Sequence, residues 1–153
     1  MVAERFLGGS QEMTIKRYAD WRTRLSVYLH EVAHKPFQWG EHDCALFAAG
    51  AVQAMTGEDF ASDHRAKYKT LIGGLRRLKQ VGFADHAEMA ASIFDECHPS
   101  SAHVGDLAAI ETDEGIALGV VQGQRIFVLR PDQASIGTVA LLDAKRTFHV
   151  PFH

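Results

Sequence analysis

With 153 residues, 46% of them hydrophobic and 23% charged, the chain has the make-up of one globular domain, able to bury roughly 68–70% of the surface of its unfolded form. The formal net charge of −3 conceals a split: residues 1–80 carry 12 Lys/Arg against 9 Asp/Glu, and residues 81–153 carry 4 against 10. Halves at +3 and −6 suit a charge-complementary partner but are too weakly polarised to argue for nucleic acid.

The first nine residues, Met1 to Gly9, contain no apolar signal region, and the longest apolar run, Ala45 to Val52, is far too short for a membrane span. Neither a signal peptide nor membrane insertion is expected. Residues 1–13, with Gly8, Gly9 and Ser10 and no periodicity, read as a flexible N-terminal arm, leaving 14–153 as a single domain. Thr14 suits the cap of a first helix in which Ile15, Tyr18, Trp21, Leu25, Tyr28 and Val32 recur at spacings of three and four, ending near His34 before Pro36. That aromatic stripe reads as core.

The chain is organised around the second helix. It follows Phe37-Gln38-Trp39-Gly40-Glu41-His42-Asp43-Cys44, with Asp43 as N-cap, Cys44 in the first turn and Gly57 as its stop after Thr56. Free N–H groups and the dipole at a helix N-terminus favour a negative sulfur, so Cys44 is the candidate nucleophile. The alternative is a buried small hydrophobe, a common fate of free cysteines. Leu46, Phe47, Val52 and Met55 among several alanines make this the most buried helix expected.

A polar turn over 58–63 and a short helical segment over 64–68 come next. A helix then runs from about Thr70 to Gln80, with Leu71, Leu75 and Leu78 inward, and another from about Ala84 to Asp95. Cys97-His98-Pro99 ends the helical half. After Pro99 five short apolar runs, 107–110, 116–121, 125–129, 139–142 and 146–150, are separated by turn residues, with Gln122-Gly123-Gln124 suited to a tight hairpin. Helices followed by an antiparallel sheet are the α+β pattern. Both cysteines, Cys44 and Cys97, are expected as free thiols without the spaced partners of a structural zinc site.

The succession Trp39-Gly40, Asp43-Cys44, Gly105-Asp106-Leu107 and Ala117-Leu118-Gly119-Val120 resembles the NlpC-type branch of the papain-like cysteine peptidases, over about residues 25–148. The resemblance implies a papain-like fold in which the Cys-bearing helix packs on a C-terminal antiparallel sheet of about five strands. Within the branch the chain is most similar to small proteins of phage and prophage tail gene clusters that share its Phe-x-Trp-Gly-x-x-Asp-Cys-x-x-Phe opening. That similarity implies a place in a phage-type tail, in the virion or in the bacterial cytoplasm during assembly. Other tail proteins would be its partners, and peptidoglycan peptide stems the substrate of an active member.

In this branch the cysteine's base is a histidine about twelve residues after the Gly of Gly-Asp-Leu, and counting from Gly105 reaches Ala117. Without an imidazole, general acid–base help worth roughly 10²–10⁴-fold is missing. His103, just before Gly105-Asp106-Leu107, is the candidate replacement base. His42, expected to face solvent or bond the backbone, and His149, on the terminal strand, are further alternatives. Asp43 and Asp106 read as caps of backbone donors, and Trp39-Gly40 as the wall beside Cys44. Two functions remain open at this point: a catalytically inactive tail-tip or assembly protein, and an active cysteine peptidase or amidase with a relocated histidine. No histidine has metal-ligand spacing with Cys44, and neither a metal nor a cofactor is expected.

Overall fold

A computed structural model of the chain describes residues 15–131 and 136–152. The arm expected over 1–13, the cap Thr14 and the turn residue Asp132 lie outside the described residues. Among the described residues four α-helices, α1 (Trp21–Val32), α2 (Cys44–Thr56), α3 (Leu71–Gln80) and α4 (His86–Ile93), precede the sheet. The strands are β1 (Glu96–Cys97), β2 (Leu107–Thr112), β3 (Gly115–Val121), β4 (Arg125–Leu129), β5 (Ile136–Ala140) and β6 (Arg146–Phe148). They form one antiparallel sheet in the order β1-β6-β2-β3-β4-β5. The α+β class is as expected, and among the described residues no helix is long and apolar enough to cross a membrane.

Several boundaries differ from expectation: the segment 64–68 is a turn rather than a helix, the strand expected over 139–142 is Ile136–Ala140, and two further differences have a long-range reason. The helix carrying Trp21, Leu25, Tyr28 and Val32 begins at Trp21 and leaves out Ile15 and Tyr18, because the backbone just before it is engaged elsewhere. Arg17 N–H bonds Pro151 O at 2.8 Å and Tyr18 N–H bonds Met55 O at 2.7 Å. The Arg17 side chain is also drawn into an ion pair with Asp106, which a helix through 14–20 would have to give up. At the other boundary, α4 stops at Ile93 because Phe94 turns extended, and Glu96 and Cys97 then pair with Phe148 and Thr147. This adds a sixth strand to the five expected.

Helix α2 is the centre of the core: Phe47, Ala48, Ala51 and Met55 have no exposed surface. Its small residues admit close neighbours. A Cβ on Gly50 would lie 2.3 Å from the Tyr28 hydroxyl, which donates to Phe47 O at 2.8 Å and ties α1 to α2. Leu118 and Val120 of β3 pack against the α2 side of the sheet, whereas Ala108, Ile110, Val121, Ile126 and Val128 form a second cluster. Strands β3 and β4 pair only at Val120–Phe127 and Val121–Ile126. Beyond those pairs a cavity opens between the two strands, lined by Ile116 and Ala117 on one side and Val128 and Leu129 on the other.

Candidate functional site

The loop before α2 is shaped around one carboxylate. Gln38 N–H bonds His42 O at 2.9 Å and His42 N–H bonds Gln38 O at 2.8 Å, closing a tight turn with Gly40 near its tip. Gly40 has φ +83°, and a Cβ there would fall 1.9 Å from Tyr68 O, so only glycine fits. Asp43, 1% exposed, caps α2 by accepting Leu46 N–H at 3.0 Å. Its other oxygen accepts Gly40 N–H at 3.0 Å and the Tyr68 hydroxyl. Burial and the neighbouring Asp43 charge push the Tyr68 hydroxyl well above its ordinary range, so it remains a donor.

Cys44 opens α2 as expected and lines the cavity between β3 and β4, which has a volume of about 520 Å³. That lies within the usual range for small-molecule pockets. Phe37 and Trp39, edge to face at 4.8 Å, form one wall. Exposed Glu111, Asp113, Glu114 and Arg130 surround the mouth. The Cys44 thiol donates to Leu129 O over a long 4.0 Å.

The electrostatics reverse the expected activation of this sulfur. Burial pushes the Cys44 thiol up to about 12, and the negative charges of Asp43 and Glu114 push in the same direction. Desolvation therefore outweighs the helix terminus, and the carboxylate that caps the helix is itself one of the opposing charges. At neutral pH the sulfur is a protonated thiol.

The histidines are distributed differently from the sequence-based expectation. His103 stacks on His149 with ring centroids 5.7 Å apart and meets Phe152 edge-on at 5.9 Å; it is not among the side chains lining the Cys44 cavity. His149 is bonded through Nδ1 to Asp106 Oδ2 at 2.8 Å. His42 is buried rather than solvent-facing, edge-on to Phe47 at 6.3 Å, and its Nε2 has no hydrogen-bond partner among the described residues. The imidazole that does line the cavity is His86, the first residue of α4, brought there by the fold and marked by no local motif. Burial pulls its pKa down, partly offset by Asp43 and Asp85, so it is neutral at pH 7.

On β3, Ala117 does line the Cys44 cavity, paired across the ladder with Ile110. Its side chain packs with the second cluster, and the adjacent Ile116 and Leu118 pack with the cluster that contains Cys44. None of the three has a group that takes a proton. The arrangement offers a ligand a partly open, partly aromatic cleft, but it does not prepare a thiolate.

A search among curated proteins finds no match. A family model described as a domain of unknown function, DUF6950, matches residues 16–150, nearly all of the chain, and the protein belongs to that family.

Proposed function

We propose that this protein is a non-hydrolytic component of a phage-type tail, acting in tail-tip assembly and built on an NlpC-like, papain-like cysteine peptidase scaffold. The observation that carries the reading is the Cys44 cavity itself: β3 contributes Ile116 and Ala117 to its wall where the branch has a histidine, and the thiol is held protonated. A scaffold of this kind is supported by the Cys-bearing helix packed on a later antiparallel sheet. The tail setting rests on the order of Trp39-Gly40, Asp43-Cys44 and Gly105-Asp106-Leu107, which resembles small tail-cluster proteins.

Two experiments test this. Purified protein incubated with muropeptides should release no new amine, and peptide cleavage that disappears in Cys44→Ser would overturn the non-hydrolytic reading. Co-expression with the tail-tip proteins of its own gene cluster should give a complex that survives size-exclusion chromatography. Elution as a lone chain alongside every one of them would overturn the assembly role.

One observation favours a second reading. His86 shares the cavity with Cys44, and a cysteine peptidase or amidase of cell-wall peptides could recruit it as the relocated base. That reading requires muropeptide cleavage that is lost in both Cys44→Ser and His86→Gln. The first reading requires no cleavage by any of the three proteins.

A further inference from the structure

The ladder between β3 and β4 is made at one end and open at the other. At the turn Gln122 N–H bonds Arg125 O at 2.8 Å, and the register then pairs Val121 with Ile126 and Val120 with Phe127. Hydrogen-bonded pairs alternate in an antiparallel ladder, so Gln122–Arg125 and Val120–Phe127 are of that kind and the next is Leu118 with Leu129. That pair is not formed, and Leu129 O meets the Cys44 thiol instead, at 4.0 Å. By the same alternation Ile116 also turns its N–H and C=O toward β4. On their other sides β3 is paired with β2 from Val120 to Gly115, and β4 with β5 along its whole length. The opening is therefore a gap in the plane of an otherwise continuous sheet, with a strand edge on each side.

We propose that this gap receives an extended segment of a partner protein as an added strand, with about three apolar residues in the sheet and a Lys or Arg beside them. The proposal rests on the non-hydrolytic reading of the Cys44 cavity, which leaves the segment uncut. Backbone groups of Ile116 and Leu118 on one side and Leu129 on the other supply its hydrogen bonds. Because β3 and β4 are antiparallel, the segment runs antiparallel to one and parallel to the other.

Lining, size and charge each fit such a segment. The cavity is lined from both faces of the sheet, by Cys44 and His86 on the helical side and by Ala117, Val128 and Val139, which belong with the second cluster. Side chains of a strand point alternately to the two faces, so each finds a wall of its own. Strands lie about 4.8 Å apart in layers about 10 Å deep and rise about 3.3 Å per residue, so one strand residue fills about 160 Å³. The cavity of about 520 Å³ takes about three, the length over which Ile116 to Leu118 lack β4. At the mouth Glu111 pairs with Lys145 at 3.6 Å, and Arg130 lies across β5, where a Cβ on Gly137 would fall 2.0 Å from its Nε. Exposed Asp113 and Glu114 on the β2–β3 turn supply the charge that remains, and it selects a basic residue.

Selection of displayed random hexapeptides on the purified full chain tests the gap. Enriched peptides should carry Val, Ile, Thr or aromatic residues beside Lys or Arg, and a synthetic copy should slow amide exchange at Leu118 and Leu129 by about tenfold or more. N-methylation of two central peptide bonds should weaken binding by about tenfold, since each removes a backbone hydrogen bond. Ala117→Phe, which fills the gap, should weaken it at least as much, and Asp113→Asn with Glu114→Gln by about threefold at low salt. Should Ala117→Phe fail to fold, the exchange and N-methylation results on the unmodified protein carry the test. No enriched peptide, binding indifferent to N-methylation as for a compact apolar ligand, unprotected Leu118 and Leu129, or protection of these amides by self-association of the chain would each overturn the proposal. Peptide recovered cut would overturn the non-hydrolytic reading and leave the added strand standing. A tail-tip complex formed by a protein that enriches no peptide would do the reverse.

Discussion

Asp106→Asn is expected to lower the free energy of unfolding by about 3–5 kcal/mol, a large share of the roughly 5–15 kcal/mol that holds a domain of this size together. The Arg17 and Asp106 side chains are both 0% exposed. Arg17 also donates to Val150 O at 3.0 Å and Val104 O at 2.6 Å, and its guanidinium lies over the Trp21 and Phe152 rings at 4.2 and 4.1 Å. Asparagine preserves the shape but removes the charge that balances Arg17, and it turns an amide N–H₂ toward groups that are themselves donors. The cost is dominated by the stranded guanidinium rather than by the lost attraction. Arg17→Met should cost less, because it leaves an anion still solvated by three N–H donors.

Burial pulls Arg17 down to about 10 while Asp106 opposes the shift, so the guanidinium stays charged at neutral pH. Its folded pKa lies below its unfolded one, so the unfolded chain binds more protons only above about pH 10, and stability contributed by Arg17 rises only there. Below that pH, Arg17 itself contributes no slope. Urea unfolding followed by tryptophan fluorescence at pH 7 checks the main expectation; a midpoint shift worth less than about 1 kcal/mol would mean that the pair does not tie the N-terminal segment to the sheet.

The second large effect is expected at Asp43. Asp43→Ala removes the α2 cap, worth about 1 kcal/mol, and strands Gly40 N–H and the Tyr68 hydroxyl, each at about 1–3 kcal/mol. The sum is about 3–5 kcal/mol if part of the strain relaxes. Tyr68→Phe provides the internal comparison. It removes one donor together with its bond, and should cost no more than about 1.5 kcal/mol. Near-equal losses for the two variants would show that Asp43 acts only through Tyr68, and would contradict its role as helix cap.

Signals carried within a few residues were legible in the sequence. Asp43 and Gly57 bracket α2, and Gly57 does adopt the left-handed conformation, φ 84°, that a helix stop requires. The Gln122-Gly123-Gln124 turn does connect two paired strands, β3 and β4, and the change of periodicity after Pro99 does mark the start of the sheet region. What was not legible depends on distant partners. Arg17 and Asp106 are 89 residues apart, so nothing local warns that Ile15 and Tyr18, at helical spacing, stay outside α1. Likewise β1 exists only because 147 and 148 stand beside it.

The candidate site divides in the same way. Cys44 at the mouth of α2 and Asp106 as a cap of backbone donors were readable from local chemistry. The state of the thiol was not, because it is set by burial and by Glu114 on the β2–β3 turn. His86 was not readable either, since only the packing of α4 brings it to the cavity.

The pH profile of Cys44 alkylation tests most directly the claim that this sulfur is held as an unreactive thiol. Native protein treated with iodoacetamide should show, at pH 8.5, a Cys44 rate about a thousandfold below that of an ordinary thiol, because raising the value from 9.0 to about 12 removes that factor of thiolate. The rate should go on rising about tenfold per pH unit through the alkaline range, with no plateau below about pH 12. The stability owed to the protonated thiol is fully present below pH 9.0 and is lost over the same interval. A rate that is already at its plateau near neutral pH, with a midpoint below that of free cysteine, would contradict the account and return Cys44 to the role of nucleophile.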